Sequence, residues 1–283
     1  MASKTSSGAL LCPQCRKLVS RSVESCPYCG LKRPGSPLKD NIFIKGPGGT
    51  KLLQGLIVVN VAMFVLAFLL DFRPDQLSFS PFSFLSPSSR SLLVLGATGE
   101  FPLLQLHRWW SLIAASFLHG GLLHIVFNMM VLYQLAPLVL HEFGVSRSFL
   151  IYTLSGIAGF LLSSFAGVGV TIGASAAVCG FIGALLFYGW HRGGTYGQAI
   201  FRQIGGWAIS IGVFGLLVPG INNWGHGGGM LAGFLVAMAL GYKEQRQESF
   251  VHRILALGAL AVTAAVLVWS CFNGVLFFFS ATG

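Results

Sequence analysis

HGGLLHIVFNMM, residues 119 to 130, sets two histidines and an asparagine inside an apolar run that looks as if it should cross a membrane. An unpaired polar group in hydrocarbon costs several kcal/mol. These three groups are therefore either tied into the structure or line a site where chemistry is done. His124 and Asn128 are four residues apart and project from one face of a helix, while His119 lies five residues earlier, near the helix entrance.

The rest of the chain supports a membrane reading. Of its 283 residues 54% are hydrophobic and 9% charged, against about 25% charged in an ordinary soluble domain. Seven apolar segments are expected to form helices, at about 52–70, 112–135, 149–169, 173–190, 204–219, 225–242 and 252–275. The first begins at Leu52, too deep for a standard cleaved leader, and is expected to be retained.

The net charge of +10 raises a nucleic-acid reading, which the placement of the charges argues against. Nine of the 18 Lys and Arg lie between Lys4 and Lys51, before the first span, and the other nine are scattered through loops. That distribution suits topology control and attraction to anionic lipid, so the bilayer is an expected partner and nucleic acid is not. With the N-terminus cytoplasmic, 15 basic residues lie inside and only Arg73, Arg90 and Arg108 outside, as the positive-inside rule prefers.

Cys12, Cys15, Cys26 and Cys29 form a C-x2-C-x10-C-x2-C arrangement, with Pro13, Pro27 and Gly30 at turn positions. Two such knuckles can present four thiolates to one Zn2+ in tetrahedral geometry. The alternative is two disulfides, which a reducing cytoplasm disfavours. So small a ribbon would draw most of its stability from the metal, and it is a candidate site for a cytoplasmic partner. The expected organisation is a zinc ribbon over 8–33, a linker over 34–50, a six-helix membrane core over 51–245, and a seventh helix with its tail over 246–283. Between the first two spans, Asp71 to His107 carries Phe72, Phe79, Phe82 and Phe84, with Trp109 and Trp110 nearby, and reads as a segment lying at the membrane interface.

On this topology the starts of the second, fourth and sixth spans share the outer side. His119, His124, Asn128, Ser175 and His226 then lie at similar depth. Gly225, Gly229 and Gly233 make a smooth stripe on which the fourth span, with Gly173, Ala174, Ser175, Ala176 and Ala177, can approach closely. Close approach would let the His226 imidazole act as general base on the Ser175 hydroxyl. His124, Asn128 and the Ser175 N–H could then stabilise an oxyanion. Taken singly, a serine in a span ordinarily bonds its own i−4 carbonyl and a histidine holds helices together. Their coincidence at one depth is what points to a Ser-His dyad. The predicted spans contain no carboxylate to complete a triad, to serve an ion path or to build a zinc-protease HExxH site. Cys179 and Cys271 read as packing residues.

The chain resembles the rhomboid family of intramembrane serine proteases over about residues 52 to 242. The resemblance rests on HGGLLHIVFN (H-x4-H-x3-N), on GAS at 173–175 and on GHGGGMLAG at 225–233. It implies an all-α polytopic membrane fold, with the last helix matching members that have seven spans. Ser175 is similar to the family nucleophile and His226 to its base. His124 and Asn128 resemble the oxyanion-side residues, His119 the histidine near the helix entrance, and Gly173 the glycine of the serine motif. The implied activity is cleavage of single-span transmembrane substrates near the outer membrane surface, with no cofactor for catalysis. The departures are Ser111 after Trp110 where the family carries Arg, Ala176 after the serine, and Cys179 where well-known members often carry Tyr. The rival is a rhomboid-like adaptor that binds transmembrane helices without cutting them. With no organellar transit signal in the sequence, a bacterial plasma membrane is the expected location.

Overall fold

The computed structural model describes residues 9–12, 17–20, 22–30, 49–72, 84–245 and 248–280. The chain divides into two compact units, Met1–Thr50 and Lys51–Gly283. In the first, β1 (Ala9–Leu11) pairs antiparallel with β2 (Leu18–Ser20), Leu10 opposite Val19. Cys12 N–H donates to the Lys17 carbonyl, and Gly30 N–H donates to the Cys26 carbonyl, closing a tight turn over 26–30. The core is a small cluster of Cys12, Val19 and Cys26 with Val23 and Cys29 against it. Cys15 and most of the linker lie outside the described residues.

The second unit is helical. Its long helices are α1 (Gly49–Leu70), α4 (Leu122–Phe143), α5 (Val145–Phe165), α6 (Ser175–Arg192), α7 (Gly194–Leu217), α8 (Asn223–Leu240) and α9 (Phe250–Ser280); α2 (Ser89–Val94) and α3 (Ser111–Ala114) are short. Five of these, α1, α4, α5, α7 and α9, are long and apolar enough to cross a membrane. The other two, α6 and α8, have 18 residues each and are diluted by glycine, alanine and polar groups. α6 is buried at most of its positions from Ala176 to Gly189 and needs less lipid-facing apolar surface of its own.

The second span does not begin at residue 112. Ser111–Ala114 makes one α-turn and Ala115–Phe117 a 3-10 turn, Leu118 is extended, and the helix restarts only after Gly120-Gly121. Two adjacent glycines carry a high conformational entropy cost in a helix and permit this break. His119 consequently lies in the loop ahead of α4 rather than in the helix.

Glycines set the spacing of α5, α6 and α8. A Cβ at Gly229 would strike the Ala176 carbonyl, one at Gly233 the Gly180 carbonyl, and one at Gly183 the Met230 carbonyl. On the α5 side, a Cβ at Gly159 would lie 2.6 Å from the Gly225 carbonyl oxygen and 3.0 Å from Ala176 Cβ. The expected stripe therefore divides: Gly229 and Gly233 receive α6, while Gly225 and Gly228 turn toward α5. Backbones pack directly, the arrangement small residues permit where lipid removes the hydrophobic drive.

The segment between α1 and α4 is braced by polar contacts. Ser111 Oγ donates to Thr98 Oγ1 at 2.9 Å, and Arg108 Nη1 donates to the Leu93 carbonyl at 3.0 Å. Arg108 thus ties α2 to the approach to α3, and Ser111 is a buried link rather than a missing arginine. Phe72 and Trp109 are exposed; residues 73–83, with Phe79 and Phe82, are not among those described. At the opposite end, Glu248 Oε1 accepts the Ser146 and Arg147 N–H groups at 2.8 and 3.1 Å, placing a carboxylate at the positive start of α5.

Gly233→Ala is expected to destabilise the protein by about 1–3 kcal/mol, because the added methyl must push α6 and α8 apart. Gly206→Ala on α7, where a Cβ meets open space, is expected to cause no loss. Unfolding in detergent, followed by circular dichroism, compares the two.

Candidate active site

α6 begins at Ser175, with Ala174 as its N-cap residue. The N–H groups of its first turn have no intrahelical carbonyl to bond, so the Ser175 N–H points out of the helix start together with the positive end of the helix dipole. Gly173, at φ +121°, turns the chain into this position, and its N–H is held by the Ala115 carbonyl at 2.9 Å. Only glycine adopts that conformation freely.

The absent side chain of Gly173 matters as much as its backbone. Its Cβ position would lie 2.7 Å from His124 Nε2 and 3.7 Å from Ser175 Oγ, so both atoms face the space the glycine leaves open. Gly120 N–H donates to His124 Nδ1 at 3.2 Å. A ring that accepts at Nδ1 and is neutral carries its hydrogen on Nε2. His124 therefore presents an N–H donor to the side of Gly173 on which Ser175 Oγ lies. Asn128, one turn further along α4, spends one Nδ2 hydrogen on the His124 carbonyl at 2.8 Å and retains its second.

His226 stands on the first turn of α8. Gly225 before it and Ala176 after Ser175 bear on the same residue of α5, Gly159, while Gly229 one turn on touches the Ala176 carbonyl. α6 and α8 thus meet at their starts, which places His226, on the first turn of α8, at the same end of the bundle as Ser175. Ser175, His124 and His226 are all partly accessible, although their neighbours Gly173, Ala174, Ala176 and Gly225 are buried. Among the described residues His226 Nδ1 is buried without a hydrogen-bond partner, so nothing there plays the part of a triad carboxylate. Cys179 is buried one turn below Ser175.

His119 is fully buried, edge-on to His124 with ring centroids 5.1 Å apart, and neither of its nitrogens has a partner among the described residues. It packs behind the donor rather than opening onto the same space as Ser175.

The expected set omits one residue that the structure puts at the centre of the polar contacts. Asn222 caps α8, its Oδ1 accepting Gly225 N–H at 2.8 Å, and its Nδ2 reaches Ser163 Oγ and Thr171 Oγ1, both at 2.8 Å. An Asn immediately ahead of a glycine-rich helix is a readable N-cap signal in the sequence. Its two distant partners are not readable there.

In the N-terminal unit, the sulfurs of Cys12, Cys26 and Cys29 all lie within 4.8 Å of one another, with Cys12 and Cys29 3.6 Å apart. That is far beyond a disulfide bond and near the edge of about 3.8 Å that a tetrahedron of Zn–S bonds requires. None of the described cysteines forms a disulfide. Burial raises the Cys26 thiol, but the backbone at Tyr28 and Cys29 and the thiols of Cys12 and Cys29 lower it further, to about 6. A site rich in thiolate is what a metal ion needs.

A Rhomboid domain family matches residues 106–243. RHOMBOID-like protein 6, mitochondrial, of Arabidopsis thaliana is 30% identical over 228 residues, covering 70% of this chain and 73% of that protein. RHOMBOID-like protein 1 of the same plant is 31% identical over 221 residues, 70% of this chain and 56% of the relative. Rhomboid protease GluP of Bacillus subtilis (strain 168) is 34% identical over 184 residues, 62% of this chain and 35% of the relative. The chain spans about half the length of RHOMBOID-like proteins 1 and 4 of Arabidopsis thaliana, two of the curated relatives it matches.

The thiol cluster gives a direct test. The purified full chain is expected to carry about one equivalent of divalent metal by inductively coupled plasma mass spectrometry. Cys26→Ser is expected to lower that content strongly; an unchanged content would remove the cluster as a metal site.

Proposed function

We propose that this chain, which belongs to the rhomboid family of integral membrane proteins, is a serine endopeptidase that cleaves single-span membrane proteins by a Ser175–His226 dyad. One observation carries this reading. Ser175 Oγ and His124 Nε2, on partly accessible residues, both face the space beside Gly173, and the packing of α6 on α8 brings the partly accessible His226 to the same end of the bundle.

The chemistry follows from these groups. Ser175 Oγ attacks the scissile carbonyl carbon while its proton passes to His226, giving a tetrahedral intermediate. The negative oxygen is met by the Nε2–H of His124 and the N–H of Ser175, donors already oriented before the substrate arrives. The second Nδ2 hydrogen of Asn128 is a further donor for the same charge. Collapse breaks the C–N bond, and His226 returns the proton to the leaving amine. Water then attacks the acyl-serine with His226 again accepting the proton, which passes to Ser175 Oγ as the ester C–O bond breaks and the acid product leaves. His119, buried behind His124, sets that ring's position and takes no proton in the cycle.

The N-terminal unit is a zinc ribbon in this reading, spanning 8–33, with 34–50 as linker, 51–245 as the membrane core and 246–283 as the seventh helix and tail. Cys12, Cys15, Cys26 and Cys29 would hold one Zn2+, which supplies folding free energy rather than catalysis. The excess of basic residues on the N-terminal side supports a cytoplasmic ribbon and an active site near the outer face, in a bacterial plasma membrane.

In liposomes carrying a single-span substrate, Ser175→Ala and His226→Ala are each expected to abolish cleavage. His124→Ala is expected to lower kcat by about 10²–10³-fold, the usual effect of losing one oxyanion donor. Cleavage that survives in both dyad variants would defeat the mechanism. Wild-type protein that binds the substrate helix without cutting it would favour a non-proteolytic adaptor.

A further inference from the structure

His226 Nδ1 has no hydrogen-bond partner among the described residues, so no side chain fixes the rotation of this ring from behind. Its orientation must come from packing and from the backbone on which it is mounted. That backbone is the first turn of α8, and one residue holds it. The Asn222 carbonyl accepts the His226 N–H at 3.1 Å, and its Oδ1 accepts the N–H of the preceding Gly225 at 2.8 Å.

The other end of the same side chain leaves α8 altogether. One Nδ2 hydrogen goes to Thr171 Oγ1 and the other to Ser163 Oγ on α5, both at 2.8 Å, so the amide nitrogen is fully engaged. Thr171 stands four residues before Ser175, as Asn222 stands four residues before His226. Thr171 is itself anchored: its backbone forms an antiparallel bridge with Thr98, through N–H donations of 2.6 and 3.0 Å in the two directions. Ser163 is fixed in turn by its hydroxyl, which reaches the Gly159 carbonyl at 2.9 Å. The strut therefore joins the loop that delivers the serine, the end of α5 and the turn that delivers the histidine.

We propose that Asn222 is a positioning residue that sets the separation and register of Ser175 and His226 through the hydrogen bond its side-chain amide donates to Thr171 Oγ1. The inference rests on the dyad reading above. It assigns to a neutral side chain bridging two backbones the orienting work that a carboxylate performs in a triad. A catalytic geometry displaced by a fraction of an ångström loses rate before it loses substrate affinity.

The substitutions are chosen to keep the fold. Thr171→Val removes the hydroxyl at nearly constant volume. Asn222→Ser retains a competent helix cap but is too short to reach Thr171. Each is expected to lower kcat on the single-span substrate about tenfold, the effect of one lost hydrogen bond expressed in the transition state, with KM little changed. The Asn222→Ser, Thr171→Val double variant is expected to lose no more than the larger single effect, because both remove the same bond. Thr171→Ser, which keeps the hydroxyl, is expected to recover most of the rate. Full kcat in Thr171→Val, a loss confined to KM, or failure of Thr171→Ser to recover rate would each overturn the proposal. Ser175→Ala run alongside separates the two questions. Residual cleavage there removes the dyad itself, whereas an inactive Ser175→Ala with a fully active Thr171→Val removes only the strut.

Discussion

The direct contact of the α6 and α8 backbones is the constraint from which the rest of the membrane unit follows. Gly229 lies on the carbonyl of Ala176 and Gly233 on that of Gly180, with no side chain between them. In lipid such contact replaces the hydrophobic drive that holds helices together in water. It also fixes the chemistry, because Ala176 adjoins Ser175 and Gly229 lies one turn beyond His226. A glycine that brings two helices together for packing therefore also brings a hydroxyl and an imidazole to the same end of the bundle.

Two kinds of polar group in this unit bear on the site. Those with structural work find partners: Ser91 with the Ala67 carbonyl, Asn60 with that of Leu56, and Ser163 with Asn222. Ser175, His124 and His226 instead retain partial exposure at the helix starts. The second arrangement lowers the cost of polar groups at membrane depth while leaving His124 Nε2 directed at the space beside Gly173. His119 fits neither class, being buried with both nitrogens unpartnered among the described residues.

Apolar runs of nearly bilayer length made the helical character legible in the sequence, and the seven long helices among the described residues match the seven expected, although only five are long and apolar enough to cross a membrane; the glycine spacing likewise made the contact of α6 with α8 legible. The i, i+4 relation of His124 and Asn128 was legible too, and the structure turns it into a hydrogen bond from Asn128 to the His124 carbonyl. The start of α4 was not legible, because residues 112–118 are as apolar as the helix that follows. Only the Gly120-Gly121 pair marks the break, and glycine is common elsewhere in these helices. The tautomer of His124 depends on a backbone N–H from the turn before it, which no pattern of residue types reveals. The Asn222–Thr171 contact was equally hidden, since it joins positions 51 residues apart whose side chains are ordinary for loops.

The central claim is that His226 activates Ser175. Its most direct test is to treat the solubilised protein with a fluorophosphonate and locate the adduct by peptide mass spectrometry. The account predicts a single adduct on Ser175 that is lost in His226→Ala. Labelling on another residue, or undiminished labelling of Ser175 in the His226 variant, would contradict it.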